Sequence, residues 1–152
     1  PRHSNARAST ERTLQTSPSP ARHDMSQVII SVQYAWKEGV DASTVAAAHK
    51  AFSEMCATIP GCRVFRVGLN EATKTSQSYE VYDTADALKT LLGKAFEPGS
   101  PLTPLYEVVE VAPGTCSMQG TKATLDSIAD IAGQFGATLF YTDSQDAVHV
   151  NL

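Results

Sequence analysis

Long apolar runs are missing from this sequence, and basic residues are scarce in most of it. No stretch approaches the roughly 18 apolar residues that a membrane-spanning helix needs, and the longest apolar runs have the length of a strand or a short helix. Basic residues are scarce after the first segment: residues 25–152 carry a net charge of −6 and only two arginines, Arg63 and Arg66. Because phosphate groups attract clustered lysines and arginines, we do not expect a nucleic acid as a partner. The lack of a long apolar run leads us to expect no membrane partner.

Patterned cysteines, metal-ligand clusters and phosphate-binding loops are also missing. The three cysteines, Cys56, Cys62 and Cys116, match neither a zinc pattern nor a CxxC motif. We expect free thiols in a reducing compartment, the cytoplasm, and a Cys56–Cys62 disulfide is the less favoured alternative. The sequence contains no HxxxH pair, no glycine-rich phosphate loop and no GxSxG motif. We therefore expect no metal and no cofactor.

The first 24 residues differ in composition from the rest. They are rich in Ser, Thr, Pro and Arg, and Leu14 is their one large apolar residue, so they cannot offset the entropy cost of ordering. We expect a disordered leader or tail at residues 1–24 and a single domain over residues 25–152. Met25 directly precedes the first strand-like run, which favours a natural start there. The alternative is an organelle transit segment, which the Arg- and Ser-rich composition suits.

Hydrophobic periodicity predicts the order βαββαβ for a core over residues 27–112. Strands are expected at Val28–Trp36, Cys62–Leu69, Ser78–Tyr82 and Leu105–Val111. The first helix is predicted at Thr44–Thr58 with Ser43 as its N-cap, and Asp83 is predicted to cap the second. That second helix is expected to bury Ala87, Leu88, Leu91, Leu92 and Phe96.

Proline dominates the segment Glu97–Pro104, which is therefore predicted to be an extended loop. The C-terminal extension, residues 113–152, is predicted to hold a helix at Lys122–Phe135 that ends at Gly136. Short strands are expected at Thr138–Tyr141 and Ala147–Val150.

This order of elements predicts an α+β, ferredoxin-like fold, with a four-stranded antiparallel sheet and both helices on one face. The other face would be bare, although the first strand carries bulky or apolar residues on both of its faces. A second copy would cover that face and give a homodimer, a dimeric α+β barrel. The alternative is that the third helix covers it within the same chain.

Two stretches resemble a known family. Tyr79–Phe96, YEVYDTADALKTLLGKAF, resembles the E-x-Y-x-x-x-x-A segment of antibiotic biosynthesis monooxygenase (ABM) domains, and Ile59–Leu69, IPGCRVFRVGL, is similar to their pGc-x-x-y hairpin entry. The resemblance covers about residues 27–112. It implies a dimeric α+β barrel with a cleft between helices and sheet.

The resemblance also carries expectations about function. Some ABM members oxidise phenols or quinols with molecular oxygen and without flavin or metal; others degrade haem, isomerise lactones or have no known activity. Many members carry a histidine on the second helix where this chain has Thr90. The resemblance therefore implies a small cofactor-independent monooxygenase acting on an aromatic, quinol or polyketide-like molecule. The alternative is a non-catalytic dimeric ligand-binding or stress-related protein, a role that Thr90 favours.

Three residues are candidates for catalysis: His49, Arg66 and Glu80. A hairpin symmetric about Thr73 places Arg66 opposite Glu80, so that Arg66 holds an oxyanion while Glu80 or His49 accepts a phenolic proton. The structural alternatives are a core-edge histidine and a cross-strand ion pair. Haem binding is a further possibility, and it requires His49 to be exposed to a wide cleft.

The candidate substrate-binding residues are Gln33, Tyr34, Trp36 and Tyr82. With Tyr79 and Tyr106, the aromatic members of this set are suited to hold a flat aromatic ligand. The alternative for these aromatic side chains is to fill the core or the dimer interface.

Overall fold

The computed structural model describes residues 26–144, so the predicted tail at 1–24 and the predicted strand at Ala147–Val150 lie outside the described residues. Along the described residues the elements follow in the order β1 (Val28–Trp36), α1 (Ala42–Cys56), β2 (Cys62–Asn70), β3 (Thr75–Tyr82), α2 (Ala85–Ala95), α3 (Leu102–Val108), β4 (Val109–Val111), β5 (Ser117–Gly120), α4 (Lys122–Asp126), α5 (Ala129–Gln134) and β6 (Thr138–Tyr141). No helix among them is long and apolar enough to cross a membrane.

The strands form one sheet with β1 at its centre, in the order β2-β3-β1-β5-β6. On one side β1 pairs with β3 along its length; on the other it pairs with β4 near its end and with β5 near its start, all antiparallel. Together β4 and β5 occupy the fourth strand position of a ferredoxin-like sheet. The Pro113–Gly114 turn, with Gly114 at φ 72°, separates β4 from β5. After this turn the chain continues along the same side of β1. The predicted fold class is confirmed.

The extension adds a parallel strand to this antiparallel core. β5 and β6 pair in parallel, from Ser117 opposite Thr138 to Gly120 opposite Tyr141. Parallel neighbours need a crossover connection, and here α4 and α5 supply it. The predicted single helix over Lys122–Phe135 is therefore wrong, because the chain breaks it into these two short helices.

Both predicted helix caps are one or two residues away from the observed ones. The N-cap of α1 is Asp41, whose carboxylate accepts the Thr44 amide at 2.7 Å. Ser43 instead donates its hydroxyl to the same carboxylate. Thr84 rather than Asp83 caps α2. In each case the neighbouring polar residue is chemically able to cap, so composition alone does not select between them.

The extended loop and fourth strand predicted over Glu97–Val111 are also wrong. The chain forms α3 from Leu102 to Val108, and only Val109–Val111 is a strand. Pro101 is the N-cap of α3 and Pro104 lies in its first turn. The amides of a first helical turn have no intrahelical acceptor, so proline is tolerated there and does not exclude the helix.

Helices α1 and α2 cover one face of the sheet and enclose the core. Alternate residues of β1, beginning with Val28, are buried beneath them. The buried residues of α1 are Val45, His49, Phe52 and Cys56, and those of α2 are Ala87, Leu88, Leu91 and Ala95. Phe96, predicted to be buried, is 61% exposed. The opposite sheet face carries exposed Gln33, Gln77 and Tyr79, and no described element covers it.

Candidate functional site

A small cavity lies between the sheet and the helices. About 50 Å³ of it is open to the centres of water-sized molecules, which is room for a few waters. Most of its lining is aliphatic or phenyl side chain, and no described lysine, arginine or histidine lines it. The lining residues are Ile30, Val32, Tyr34, Phe52, Glu80, Leu88, Leu91, Leu92, Ala95, Leu102, Tyr106, Val111, Cys116, Met118 and Phe135.

Glu80 is the acidic group of this cavity. It is only 6% exposed, because it points from β3 toward the helices. Its Oε1 accepts the Ser78 hydroxyl at 2.9 Å and its Oε2 accepts the Tyr82 hydroxyl at 2.6 Å. Burial raises the pKa of the Glu80 carboxyl, and these two hydrogen bonds oppose part of that rise. Glu80 is therefore a fixed carboxyl that holds its proton to higher pH than an exposed glutamate does.

Two tyrosines and a thiol complete the polar lining. Burial raises the pKa of Tyr34 and Tyr106, and the nearby Glu80 carboxylate raises both further. Burial also raises the pKa of the Cys116 thiol to about 11. Tyr34 and Tyr106 are therefore neutral hydroxyl donors at physiological pH, and Cys116 is a protonated thiol with little nucleophilic character.

His49 lies beside the cavity and is not part of its lining. The ring is 3% exposed. Its Nε2 lies 2.8 Å from the Ser76 hydroxyl, and its edge packs against Tyr34 with ring centroids 5.4 Å apart. Its Nδ1 is buried without a hydrogen-bond partner among the described residues. Burial lowers the pKa of the imidazole to about 4. This setting matches the core-histidine alternative and lacks the exposure that haem binding requires.

Arg66 does not lie opposite Glu80, and that predicted pairing is wrong. In the observed register Phe65 pairs with Glu80, and Arg66 pairs with Tyr79. A shift of one residue moves a side chain to the other face of the sheet. Arg66 is therefore exposed on the face opposite the cavity and cannot hold an oxyanion beside Glu80.

Of the four candidate substrate-binding residues, Tyr34 alone lines the cavity. Tyr82 is fully buried behind Glu80 and contacts it through its hydroxyl. Trp36 is buried at the end of β1 beneath the Lys74 ammonium, away from the lining. Gln33 faces the opposite side of the sheet, where it borders a separate polar depression of about 450 Å³. Gln33 and Tyr82 therefore lie on opposite faces of the sheet.

The extension builds a part of the cavity that was not predicted from the sequence. Cys116, Met118 and Phe135 all belong to residues 113–144 and line the cavity. We predicted no strand over Ser117–Gly120, and a four-residue strand whose buried apolar side chain is Met118 gives little periodic signal. The extension therefore contributes to the site.

Thr90 is exposed on α2 and donates its hydroxyl to the Asp86 carbonyl, so a side chain at this position does not reach the cavity. Within residues 26–144, no three histidine, cysteine, aspartate or glutamate side chains are grouped so that they could hold a metal ion.

Comparisons with known proteins give no match to a family model and none to a curated protein. Solved structures do match. MupZ from Pseudomonas fluorescens aligns with a TM-score of 0.66 and 16% identity over 82% of this chain and 99% of its own. A conserved protein from Methanosarcina mazei Go1 aligns with a TM-score of 0.53 and 13% identity, over 65% of this chain and 96% of its own.

SnoaB, a cofactor-independent oxygenase from Streptomyces nogalater, aligns with a TM-score of 0.51 and 12% identity over 61% of this chain and 90% of its own. SnoaB is therefore too short to hold counterparts of all the described residues. At these identities the likeness concerns the fold. The chain shares the α+β, ferredoxin-like fold of these proteins, which is the fold that the resemblance around Tyr79–Phe96 implied.

Proposed function

We propose that this protein binds a small neutral aromatic, quinol or polyketide-like molecule in the cavity and oxidises it with molecular oxygen, without a cofactor. The observation that carries the proposal is Glu80, a buried carboxyl with a raised pKa at the wall of an otherwise apolar cavity. A buried ionisable group that has a shifted pKa and borders a cleft is typical of the acids and bases at functional sites. The fold shared with SnoaB supports the reaction class.

In the proposed reaction Glu80 accepts the acidic proton of the substrate. The resulting carbanion or phenolate donates electrons to oxygen. One oxygen atom replaces two hydrogens at a CH₂ carbon as a carbonyl, and the other leaves as water, so the substrate supplies all the electrons. Tyr34 and Tyr106 are the hydroxyl donors available to the developing oxyanion, because no described cation lines the cavity.

The same lack of a cation favours the second candidate, a ligand-binding protein without catalysis. A site that forms a substrate anion usually supplies a positive charge or several aligned donors. Here Arg66, the cation predicted for that role, lies on the other face of the sheet. Binding of a neutral ligand requires no such partner, so this candidate keeps the cavity and Glu80 as a hydrogen-bonding group.

Oxygen uptake distinguishes the two candidates. We would incubate the full chain with phenols, hydroquinones and an anthrone, record oxygen consumption, and follow ¹⁸O incorporation by mass spectrometry. An oxygenase consumes oxygen and places one labelled atom in the product. Saturable binding of the same compounds without oxygen uptake identifies a binding protein. Absence of both overturns the proposal.

Glu80→Gln tests the base directly. We expect it to lower the rate by about 100-fold or more, the usual contribution of a positioned general base. Glu54→Gln is the matched control, because it makes the same change at an exposed residue of α1 whose ion pair with Lys50 is on the surface. Equal rates in the two variants would remove Glu80 from the mechanism.

We also propose that the protein is a homodimer through the uncovered face of its sheet. Tyr79 is 46% exposed there, beside the half-buried Ile29 and Val81. Two-fold pairing of this face would bury them. Light scattering during size-exclusion chromatography should give the mass of a dimer, and Tyr79→Glu should reduce it to that of a monomer. A monomer at all concentrations contradicts the proposal.

A further inference from the structure

One wall of the cavity comes from outside the βαββαβ core. Cys116 and Met118 are 3% and 2% exposed, so they form its interior. Phe135 is half-buried and also lines the cavity. Of the three lining residues that the extension supplies, Phe135 is the largest and the least buried.

The position of Phe135 is fixed by the end of α5. Phe135 is the C-cap of that helix, and its amide donates to the Ile131 carbonyl at 3.3 Å. Gly136 follows at φ 57°, a left-handed conformation in which glycine carries no steric cost. The Ala137 amide then donates to the Ala132 carbonyl at 2.9 Å. The backbone thus returns at once into β6, and the phenyl group is held against the cavity.

The space that remains is small, so an aromatic ligand can enter only if a lining side chain moves aside. The cavity offers about 50 Å³, whereas an apolar cavity that binds benzene has about 150 Å³. The half-buried phenyl group of Phe135 borders this space and so occupies volume that a ligand ring would need.

We propose that Phe135 sets the upper size limit of the ligand that this cavity accepts, acting as a specificity-determining residue supplied by the C-terminal extension. This inference rests on the proposed binding of a neutral aromatic molecule. It assigns the extension a role in selecting the ligand.

Binding of phenol and 1-naphthol to the full chain and to Phe135→Ala tests this assignment, measured by isothermal titration and by the shift in melting temperature. We expect Phe135→Ala to bind 1-naphthol at least about tenfold more tightly than the native chain does, because a second ring gains buried apolar contact. Phe96→Ala is the matched control: it removes the same side chain from an exposed position outside the lining, and should bind like the native chain.

The outcomes separate this inference from the proposed function. If the native chain binds phenol and Phe135→Ala shows no gain for 1-naphthol, the size limit lies elsewhere and the inference is overturned alone. If only Phe135→Ala binds, the inference stands and the proposed function of the native chain fails. If neither binds, both fail. Should Phe135→Ala not fold, Phe135→Leu keeps an apolar but smaller side chain. We then expect a smaller gain in affinity for 1-naphthol.

Discussion

Protonation of His49 is expected to lower the stability of this fold as the pH falls below neutrality. His49 is 3% exposed, and burial lowers the pKa of its imidazole to about 4, compared with about 6.5 in an unfolded chain. Between these values the unfolded chain binds a proton that the folded chain does not, so the free energy of unfolding falls as the pH falls. This single group contributes a loss of about 2 kcal/mol between pH 7 and pH 5, and about 3 kcal/mol in all once the pH is below 4.

Urea unfolding at pH 7, 6 and 5 measures this loss, with the fluorescence of Trp36, the sole tryptophan, as the signal. His49→Gln removes the titrating group and keeps an amide that can reach Ser76. The variant is expected to be less stable at pH 7, and its difference from the native chain should shrink by about 2 kcal/mol at pH 5. Ser76→Ala retains the imidazole and should keep the steep pH profile. Parallel profiles for the native chain and His49→Gln would refute the reasoning.

Three further changes have defined outcomes. Burial raises the pKa of Glu80 above its ordinary value of 4.5, so the native chain loses stability as the pH rises above that value. Glu80→Gln should therefore gain stability relative to the native chain as the pH is raised from 4, and an unchanged difference in chemical denaturation contradicts this. Gly61→Ala should lower the free energy of unfolding by about 2 kcal/mol or more, because Gly61 has φ +87° and an added Cβ would lie 2.9 Å from the Ala87 Cβ. Gly39→Ala is the control for backbone strain alone, because Gly39 has φ +78° and an added Cβ would meet no atom within 4 Å. It should cost less stability in thermal unfolding. Asp41→Ala removes the cap of α1 and should cost about 1 kcal/mol, whereas Asp41→Asn should recover most of it in the same assay.

The elements with strong local periodicity could be predicted from the sequence. β1 has the predicted bounds, Val28–Trp36, because its alternation extends over the whole strand. The buried stripe of α1 also places His49 against the sheet as predicted. In both cases the signal lies within a few consecutive residues, so no knowledge of distant partners is needed.

The face of each side chain in the β2–β3 hairpin could not be predicted, because it depends on one residue in the turn. Asn70 pairs with Thr75, and Lys74 takes a left-handed conformation at φ 52°. Lysine gives no sequence signal for that conformation, unlike glycine or asparagine. The resulting shift from the assumed symmetry is enough to separate Arg66 from Glu80.

The part of the cavity built by the extension depends on contacts across the chain. Met118 belongs to the cavity only because β5 pairs with β1, placing it opposite Ile30. Phe135 belongs to it only because two short helices return the chain to β6. Neither arrangement leaves a periodic pattern that a local reading of the sequence can detect.

The central position of β1 has a consequence for the order of folding during synthesis. Ile29 pairs with Gln119, so β1 receives this neighbour only after 90 further residues have been synthesised. Contacts of such high sequence separation slow folding, and until they form, the free edge of β1 is open to pairing with other chains. Nascent chains are therefore most prone to aggregate before residue 120 becomes available, and chaperone dependence should be greatest in that interval.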